Sequence, residues 1–539
     1  MSGWNYADVW EAIADTIPDA VAQVHGTRRS TWAEFDRRAD GLASTLLDAG
    51  AQRDDKVAIY LRNVPEYLES FFGALKVGCV PVNTNYRYGA DELAYLWANA
   101  DAIAVVFHGE YTPIVERVRG RVPLVRAWIH VDDDTHPCPT WAVPYERAAA
   151  GAEVRVAAPW ARTPDDLVFI YTGGTTGMPK GVMWRQCDLY AQANAGTPID
   201  PEDQDLDHVR GRAGTATPAL LPASPLMHGT GLTMGLAALR IGGTNVLLAG
   251  RSFDAVECLD TLERERCYGI SIVGDAFAQP LLTALRAEPD RWDLGHVRLV
   301  ASAGVMWSHP VKEGLLEFLP RATLSDGFAS SEAFGMGGSQ SRRGEVVSTA
   351  HFTLGDRARV IADDGRDVVP GSGEVGLVAV GGPQPLGYYK DDAKTARTFR
   401  VIDGERYSIP GDHAAVEADG SLRLLGRGSV CINTGGEKVF PEEVEEALKT
   451  HPAVRDAIVV GVADARFGEA ITAIVEPVPD AHPDVLSAES LREHVKERLA
   501  HYKAPRHVLV VASTLRAPNG KADYPGWHQR ATDAIVPRV

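Results

Sequence analysis

Residues 171–181 read Tyr-Thr-Gly-Gly-Thr-Thr-Gly-Met-Pro-Lys-Gly, and the rest of the chain is interpretable around them. The run before them, Asp166-Leu-Val-Phe-Ile-Tyr171, is short, apolar and β-rich, the pattern of a buried strand. The run after them, Arg185 to Ala193, can form a helix. Glycine lets a backbone turn its N–H groups toward an anion at close range. Gly173, Gly174, Gly177 and Gly181 provide that freedom, Thr172, Thr175 and Thr176 add hydroxyls, and Lys180 adds a positive charge. This composition predicts a phosphate-cradling loop. It is not a Walker loop, which needs Gly-Lys-Ser/Thr in direct succession, whereas here Pro179 precedes Lys180 and Gly181 follows it.

Size and charge narrow the alternatives. A chain of 539 residues is too long for one hydrophobic core, so two or more domains are expected. Apolar content of 45% and charged content of 23% are ordinary for a globular protein. A formal net charge of −18 argues against nucleic acid as a general partner. The six cysteines (79, 138, 187, 258, 267 and 431) form no Cys-x-x-Cys pair, so neither a zinc site nor a disulfide framework is expected. Reduced thiols fit a cytoplasmic protein. The N-terminal residues lack the basic-then-apolar pattern of a signal peptide, and no apolar run is long enough for a membrane span.

Further blocks follow the glycine-rich stretch in order. They are Ser224-Pro-Leu-Met-His-Gly-Thr-Gly231, Asp326-Gly-Phe-Ala-Ser-Ser-Glu332, and Gly373-Glu-Val-Gly-Leu-Val-Ala-Val380 with Gly387-Tyr-Tyr-Lys390. Tyr407-Ser-Ile-Pro-Gly-Asp412, Gly426-Arg427 and Ala517-Pro-Asn-Gly-Lys-Ala-Asp-Tyr524 complete the set. Gly229 to Gly235 also mimics a dinucleotide fingerprint, but its last gap is one residue too long and no clean strand precedes it. Together with the phosphate loop, these blocks resemble the signatures of the adenylate-forming enzymes: acyl- and aryl-CoA synthetases, peptide-synthetase adenylation domains and firefly-type luciferases. The likeness spans nearly the whole chain. Departures are Gly174 where Ser is commonest, Phe328 and Ala329 where Tyr-Gly is usual, and Val430 and Asn433 where the hinge often has Asp or Lys.

The resemblance implies an assignment for each block. Thr172 to Gly177 and Lys180 would hold phosphates. Phe328 would stack on adenine, with Ala329 and Ser330 beside it, and Ser331 would reach a phosphate. Glu332, with Thr176, would ligate Mg²⁺, a hard cation that takes carboxylate and phosphate oxygens. Asp412 would accept both ribose hydroxyls, with Arg427 on ribose or phosphate. His228 would help place the carboxylate. Gly229, Gly274, Asp275, Ala303, Gly304 and Val305 would border the acyl pocket, and Gly435-Gly436 the pantetheine path of CoA. Lys521 would be catalytic.

The expected fold is α/β. Residues 1–428 form a large adenylate-forming domain with covered parallel sheets and a β-rich subdomain, and residues 429–539 a small mobile α+β domain hinged near Val430. Strands are expected at 56–61, 79–82, 102–107, 269–274 and 297–303, and helices at 31–50 and 65–77; residues 148–165 read as a linker, and residues 198–216 as an exposed acidic insertion. The implied activity is AMP-forming ligation of a hydrophobic carboxylic acid to CoA with ATP, bulky fatty or steroid acids being favoured. An enzyme loading a carrier protein, a luciferase-like oxygenase and a non-catalytic nucleotide-binding protein are the alternatives; a homodimer is compatible with all of them, and integral membrane association is not expected.

Overall fold

A computed structural model describes residues 4–150, 154–172, 178–193, 205–215, 218–305, 307–427, 432–434, 437–464, 468–479, 481–512, 515–516 and 522–535. Two sheets dominate. In the first, six parallel strands run in the order Val21–His25, Thr244–Leu247, Ala219–Pro222, Gly269–Ile272, Leu299–Ala303, Thr323–Ser330. It continues without a break into antiparallel strands, Ala333–Ser341, His351–Leu354, Leu422–Arg427, Asp412–Val416, Val375–Val380 and beyond. The second sheet has eight strands around Leu167–Thr172, Val80–Asn83, Lys56–Tyr60, Ala102–His108 and Ala127–Val131, which are parallel to one another.

Each parallel strand is apolar on both faces because helices cover both faces. Val57, Ile59, Val106 and Ile170 point into the layer between the sheets, while Ala58, Tyr60, Val105 and Phe107 point outward under Leu93, Trp97 and Val115. On the first sheet Leu221, Ile270, Val300 and Leu324 face an outer helical layer that includes Leu259, Leu282 and Leu315. The middle layer holds the Pro65–Lys76 helix, buried along its whole length, and the Gly229–Arg240 helix, whose Leu232, Leu236 and Leu239 join the central core. The result is helices, sheet, helices, sheet, helices, a stack of five layers.

The expected elements fall at Trp32–Asp48, Lys56–Tyr60, Pro65–Lys76, Val80–Asn83, Ala102–His108, Gly269–Ile272 and Leu299–Ala303. Thr31 caps the first of these helices in a capping box with Glu34. Three features differ from expectation. Lys180–Arg185 is a strand, antiparallel to Leu167–Thr172, and the helix begins only at Gln186. Val182 and Trp184 are buried while Met183 and Arg185 are half-buried, an alternation of period two that favours a strand. Gly387–Tyr388 leaves the β-rich subdomain to pair with this strand. Residues 154–165 have no regular structure but are tied down, Arg155 pairing with Asp15 and Asp36, and Arg162 with Asp8 and Glu11. Within the acidic 198–216 stretch, Leu206–Ala213 is a helix that buries Val209 and Ala213.

The C-terminal part builds its own sheet from Ile432–Thr434, Glu437–Val439, Val454–Asp464, Gly468–Pro477 and His507–Val510. The Pro441–Lys449 and Ala488–Lys496 helices pack on one face through Val444, Leu448, Leu491 and Val495; Trp527 and Ala531 of the Tyr524–Ile535 helix cover the other.

Candidate active site

A cavity of about 360 Å³ lies between the Gly229–Arg240 helix and the first sheet. Strand pleating supplies its floor. Side chains alternate across a sheet, so Leu299, Ala301 and Ala303 line it, as do Ser325, Gly327 and Ala329 on the next strand and Ser271 on the strand before, with Val273 just past that strand's end. The register sets Ser271 beside Ala301, and Ala301 beside Ser325. The roof is Thr230, Thr233, Met234 and Ala237 of the helix, and Leu299, Met234 and Ala237 pack together at one end. The other end opens beside Thr172, His228, Ala329, Ser330 and Ser331.

His228 is the residue before the Gly229–Arg240 helix. It reaches the cavity because the preceding turn is held tightly. The Asn63 amide donates to the carbonyls of Pro222 and Ser224, both at 3.0 Å, and accepts from Leu226 N at 2.7 Å. A Cβ at Gly231 would overlap the carbonyls of Ser224 and Pro225, so only glycine lets the helix sit this close to the turn.

Glu332 follows the strand bearing Ser325 and Ala329. Its carboxylate accepts a 2.7 Å hydrogen bond from the Tyr388 hydroxyl, and its carbonyl one of 2.7 Å from Ser408 Oγ. Trp184 Nε1 donates to the Ser331 carbonyl at 2.9 Å. The strand Lys180–Arg185 thus braces the Ser331–Glu332 turn beside the glycine-rich stretch. Lys180 itself pairs with Asp391 at 2.9 Å, both about one-third exposed, so an incoming phosphate would compete with that carboxylate.

Asp412 and Arg427, picked out from separate sequence blocks, are directly opposite in an antiparallel pair. Their Cα atoms are therefore about 5 Å apart. Asp412 is buried.

Of the acyl-pocket candidates, Gly229, Ala303 and Gly304 line the cavity. Asp275, Gly274 and Val305 do not. Asp275 lies past the start of the Gly274–Ala287 helix and accepts from Ser308 N at 3.0 Å; burial pushes its carboxyl up to about 6, against the pull of Lys449 from the C-terminal part. The Gly274 N–H is bonded to Ser302 Oγ, and Val305 packs on the outer helical layer. Phe328, expected to stack on adenine, is not among the residues lining the cavity. It has the opposite parity to Gly327 and Ala329, and its ring packs against Phe352 in the β-rich core, 5.6 Å between centroids, leaving the residue 8% exposed. Gly173 to Gly177, Gly435, Gly436 and Lys521 lie outside the described residues, and so does the side chain of Arg427.

The C-terminal part meets the large domain at this site. The Glu442 carboxyl occupies the space where residue 426 would carry a Cβ, which glycine lacks; Gly426 also has φ +106°, a left-handed conformation. The ring of Phe440 lies 5.4 Å from that of His413. Burial, then the charges of Glu445 and Asp412, push Glu442 up to about 8, with Arg516 opposing. Glu445 is itself engaged by Tyr524 and by Val459 N. Burial beside Glu445 and Asp412 thus favours the protonated form of Glu442 in this arrangement. Its pKa here lies above that of a solvated carboxyl, so the contact is strongest below about pH 4.5 and weakens as pH rises to about 8. A fluorescence-transfer pair spanning the two parts should report weakening of the contact as pH rises from about 4.5 to about 8, a range in which the Asp275 carboxyl also titrates. Glu442→Gln should flatten that response; an unchanged profile would exclude Glu442 as its source.

The AMP-binding enzyme family model matches residues 10–389, and the model of the AMP-binding enzyme C-terminal domain matches residues 443–521. A medium/long-chain-fatty-acid–CoA/3-oxocholest-4-en-26-oate–CoA ligase of Mycobacterium tuberculosis is 41% identical over 98% of this chain and 96% of its own. A 3-oxocholest-4-en-26-oate–CoA ligase of Rhodococcus rhodochrous is 38% identical over 96% and 94%. The crystal structure of the anthranilate CoA ligase AuaEII in complex with anthranoyl-AMP has the same fold, with TM-score 0.85 at 22% identity over 100% of this chain and 99% of that one. Among the described residues no helix is long and apolar enough to cross a membrane. With one model covering the layered sheets and another the C-terminal part, the chain belongs to the AMP-binding enzyme family.

Proposed function

We propose that this enzyme is an AMP-forming acyl-CoA ligase for bulky hydrophobic carboxylic acids such as fatty or steroid acids. The observation that carries the reading is the cavity: long, floored by small side chains, and opening between His228 and the Ala329–Ser331 turn next to the phosphate-loop root. The fatty-acid and steroid-acid ligases similar to it support the substrate class. The carboxylate attacks the α-phosphorus of ATP, releasing pyrophosphate. The CoA thiol then attacks the acyl carbon and AMP leaves. The protein's task is positioning and charge stabilisation. Thr172 to Gly177 and Lys180 hold phosphates, His228 orients the carboxylate, and Asp412 and Arg427 hold the ribose.

Among the described residues no cluster of three metal-ligating side chains exists. One carboxylate, Glu332, beside a triphosphate fits Mg²⁺, which is commonly held by one or two carboxylates plus substrate phosphates. Glu332 and Thr176 would hold it, and it would neutralise phosphate charge. Residues 1–428 act as the body that binds ATP and acid. Residues 429–539 turn about a hinge near Val430 to present Lys521 in one orientation and the Gly435–Gly436 path for pantetheine in the other.

Two measurements test this. CoA-dependent AMP release should be assayed across carboxylates from acetate to steroid acids. Each buried methylene contributes about 0.8 kcal/mol, so kcat/KM should climb with length until the cavity is full; acetate or benzoate as the best substrate would sink the substrate class. Adenylate formation without thioester formation would point to a carrier protein as acceptor. Separately, Asp412→Ala should raise the KM for ATP about 10- to 150-fold, from roughly 1.5–3 kcal/mol of charge-assisted hydrogen bonding. An unaltered value would remove Asp412 from the ribose site.

A further inference from the structure

The strand Val80–Asn83 ends between the two halves of the site. Its ladder with Leu167–Thr172 has one register pair, Val82 opposite Phe169. Where the next rung would form, the Asn83 side chain takes over. Its Oδ1 accepts from Tyr171 N at 2.6 Å, and its Nδ2 donates to Tyr171 O at 2.9 Å. The second proton of Nδ2 goes to Met227 O at 2.6 Å. Tyr171 precedes Thr172 and the phosphate loop; Met227 precedes His228. One buried amide in the cavity wall thus grips the residue before each of the two segments that must meet at the reacting carboxylate.

We propose that Asn83 is a positioning residue that sets the separation of the phosphate loop and His228. The side-chain chemistry fits no close substitute. Two carbonyls and one N–H need two donors and an acceptor on one planar group. Aspartate has the shape and no donors, and alanine has neither. Asn63 is the informative comparison. It comes from the loop after the neighbouring strand, Lys56–Tyr60, whose Ile59 lies beside Asn83 in register. Asn63 binds only the 222–226 turn leading to His228, with no bond to Tyr171. Asn83 therefore links ATP-binding and acid-binding segments, whereas Asn63 steadies the acid-binding segment alone.

This rests on the assignment of the phosphate loop and His228 made above, and the test separates the two. Acyl-adenylate formation is measured for Asn83→Ala, Asn83→Asp, Asn83→Ser, Asn63→Ala, His228→Ala and the double variant Asn83→Ala/His228→Ala. Misplacement by about 1 Å can cost on the order of 10²-fold. Asn83→Ala should slow the step by about that factor and raise KM for both ATP and acid. Asn83→Asp should be at least as slow. Asn63→Ala should raise KM for the acid and leave that for ATP unchanged. If His228→Ala costs about 10²-fold, the double variant should lose about 10²-fold and not about 10⁴-fold, because contacts acting through one arrangement do not add. Asn83→Ser, which keeps a short donor, should show the same pattern at smaller size and supplies the readout should the alanine variant not fold. Multiplicative losses, or a lowered melting temperature with both KM values unchanged, would overturn the positioning role. A silent His228→Ala would overturn the assignment of His228 instead.

Discussion

Lys521→Ala should form acyl-adenylate from ATP and acid about 10²–10³-fold more slowly than wild type, the usual cost of removing one preorganised donor at a developing charge. Given synthetic acyl-adenylate and CoA, it should form thioester at close to the wild-type rate. The asymmetry follows from where the residue sits. The positions just outside its segment, Arg516 and Ala522, are bridged to each other. Arg516 is fixed by ion pairs to Asp456 and Glu445, on a strand and a helix of the C-terminal part. The bridge and the ion pairs tie the described flanks of that segment to the C-terminal part. In the proposed domain rotation the Lys521 ammonium would reach the carboxylate–phosphate centre in one orientation and be withdrawn from it in the other. Both half-reactions should be followed by single-turnover mixing. Equal loss in both halves would mean one shared arrangement or misfolding, and no loss in the first would leave Lys521 a surface charge.

How far the site could be read from sequence depended on whether a residue's partner was near in the chain. Asp412 and Arg427 stood out as separate motifs, and the antiparallel pairing sets them opposite each other. Ala329, Ser331 and Glu332 fall in one motif, at the end of the Thr323–Ser330 strand and in the turn after it. Parity decides where Phe328 packs. A motif fixes the order of residues, but the pleat fixes which face each one takes, and Gly327 and Ala329 took the cavity face. Asp275 was misplaced because residues past a strand end follow the helix that starts there, and this helix turns its first acid toward Ser308. Asn83 left no readable trace. Asn-Thr-Asn after a short strand is ordinary turn chemistry, and its partners lie 88 and 144 positions along the chain. The strand Lys180–Arg185 was missed because Lys180 and Gly181 read as the end of the glycine-rich loop, while the helix after it begins at Gln186, one residue from the expected Arg185.

Ala301→Phe should cut kcat/KM for the longest favoured acids by about 10²-fold while leaving a short acid such as acetate or butyrate close to its wild-type value. Ala301 sits mid-floor, between Ser271 and Ser325 in register and two residues from Leu299 at the closed end. A strand advances about 3.3 Å per residue, so a phenyl ring at 301 stops an acyl chain roughly 7 Å short of Leu299. Denying about four methylenes their burial forfeits roughly 3 kcal/mol at about 0.8 kcal/mol each. At about 1.36 kcal/mol per tenfold, that is on the order of 10²-fold. The ring enters space that is already empty, so the overpacking that penalises larger side chains in filled cores, typically about 1–3 kcal/mol, should be small, and the melting temperature should hold. Turnover of the short acid is the internal control, because the opening at His228 and Ala329–Ser331 lies beyond the substituted position. A loss shared equally by short and long acids would indicate a distorted sheet. Undiminished turnover of the long acids would mean that the acyl chain takes the other wall of the cavity, past Asn85 and Tyr88.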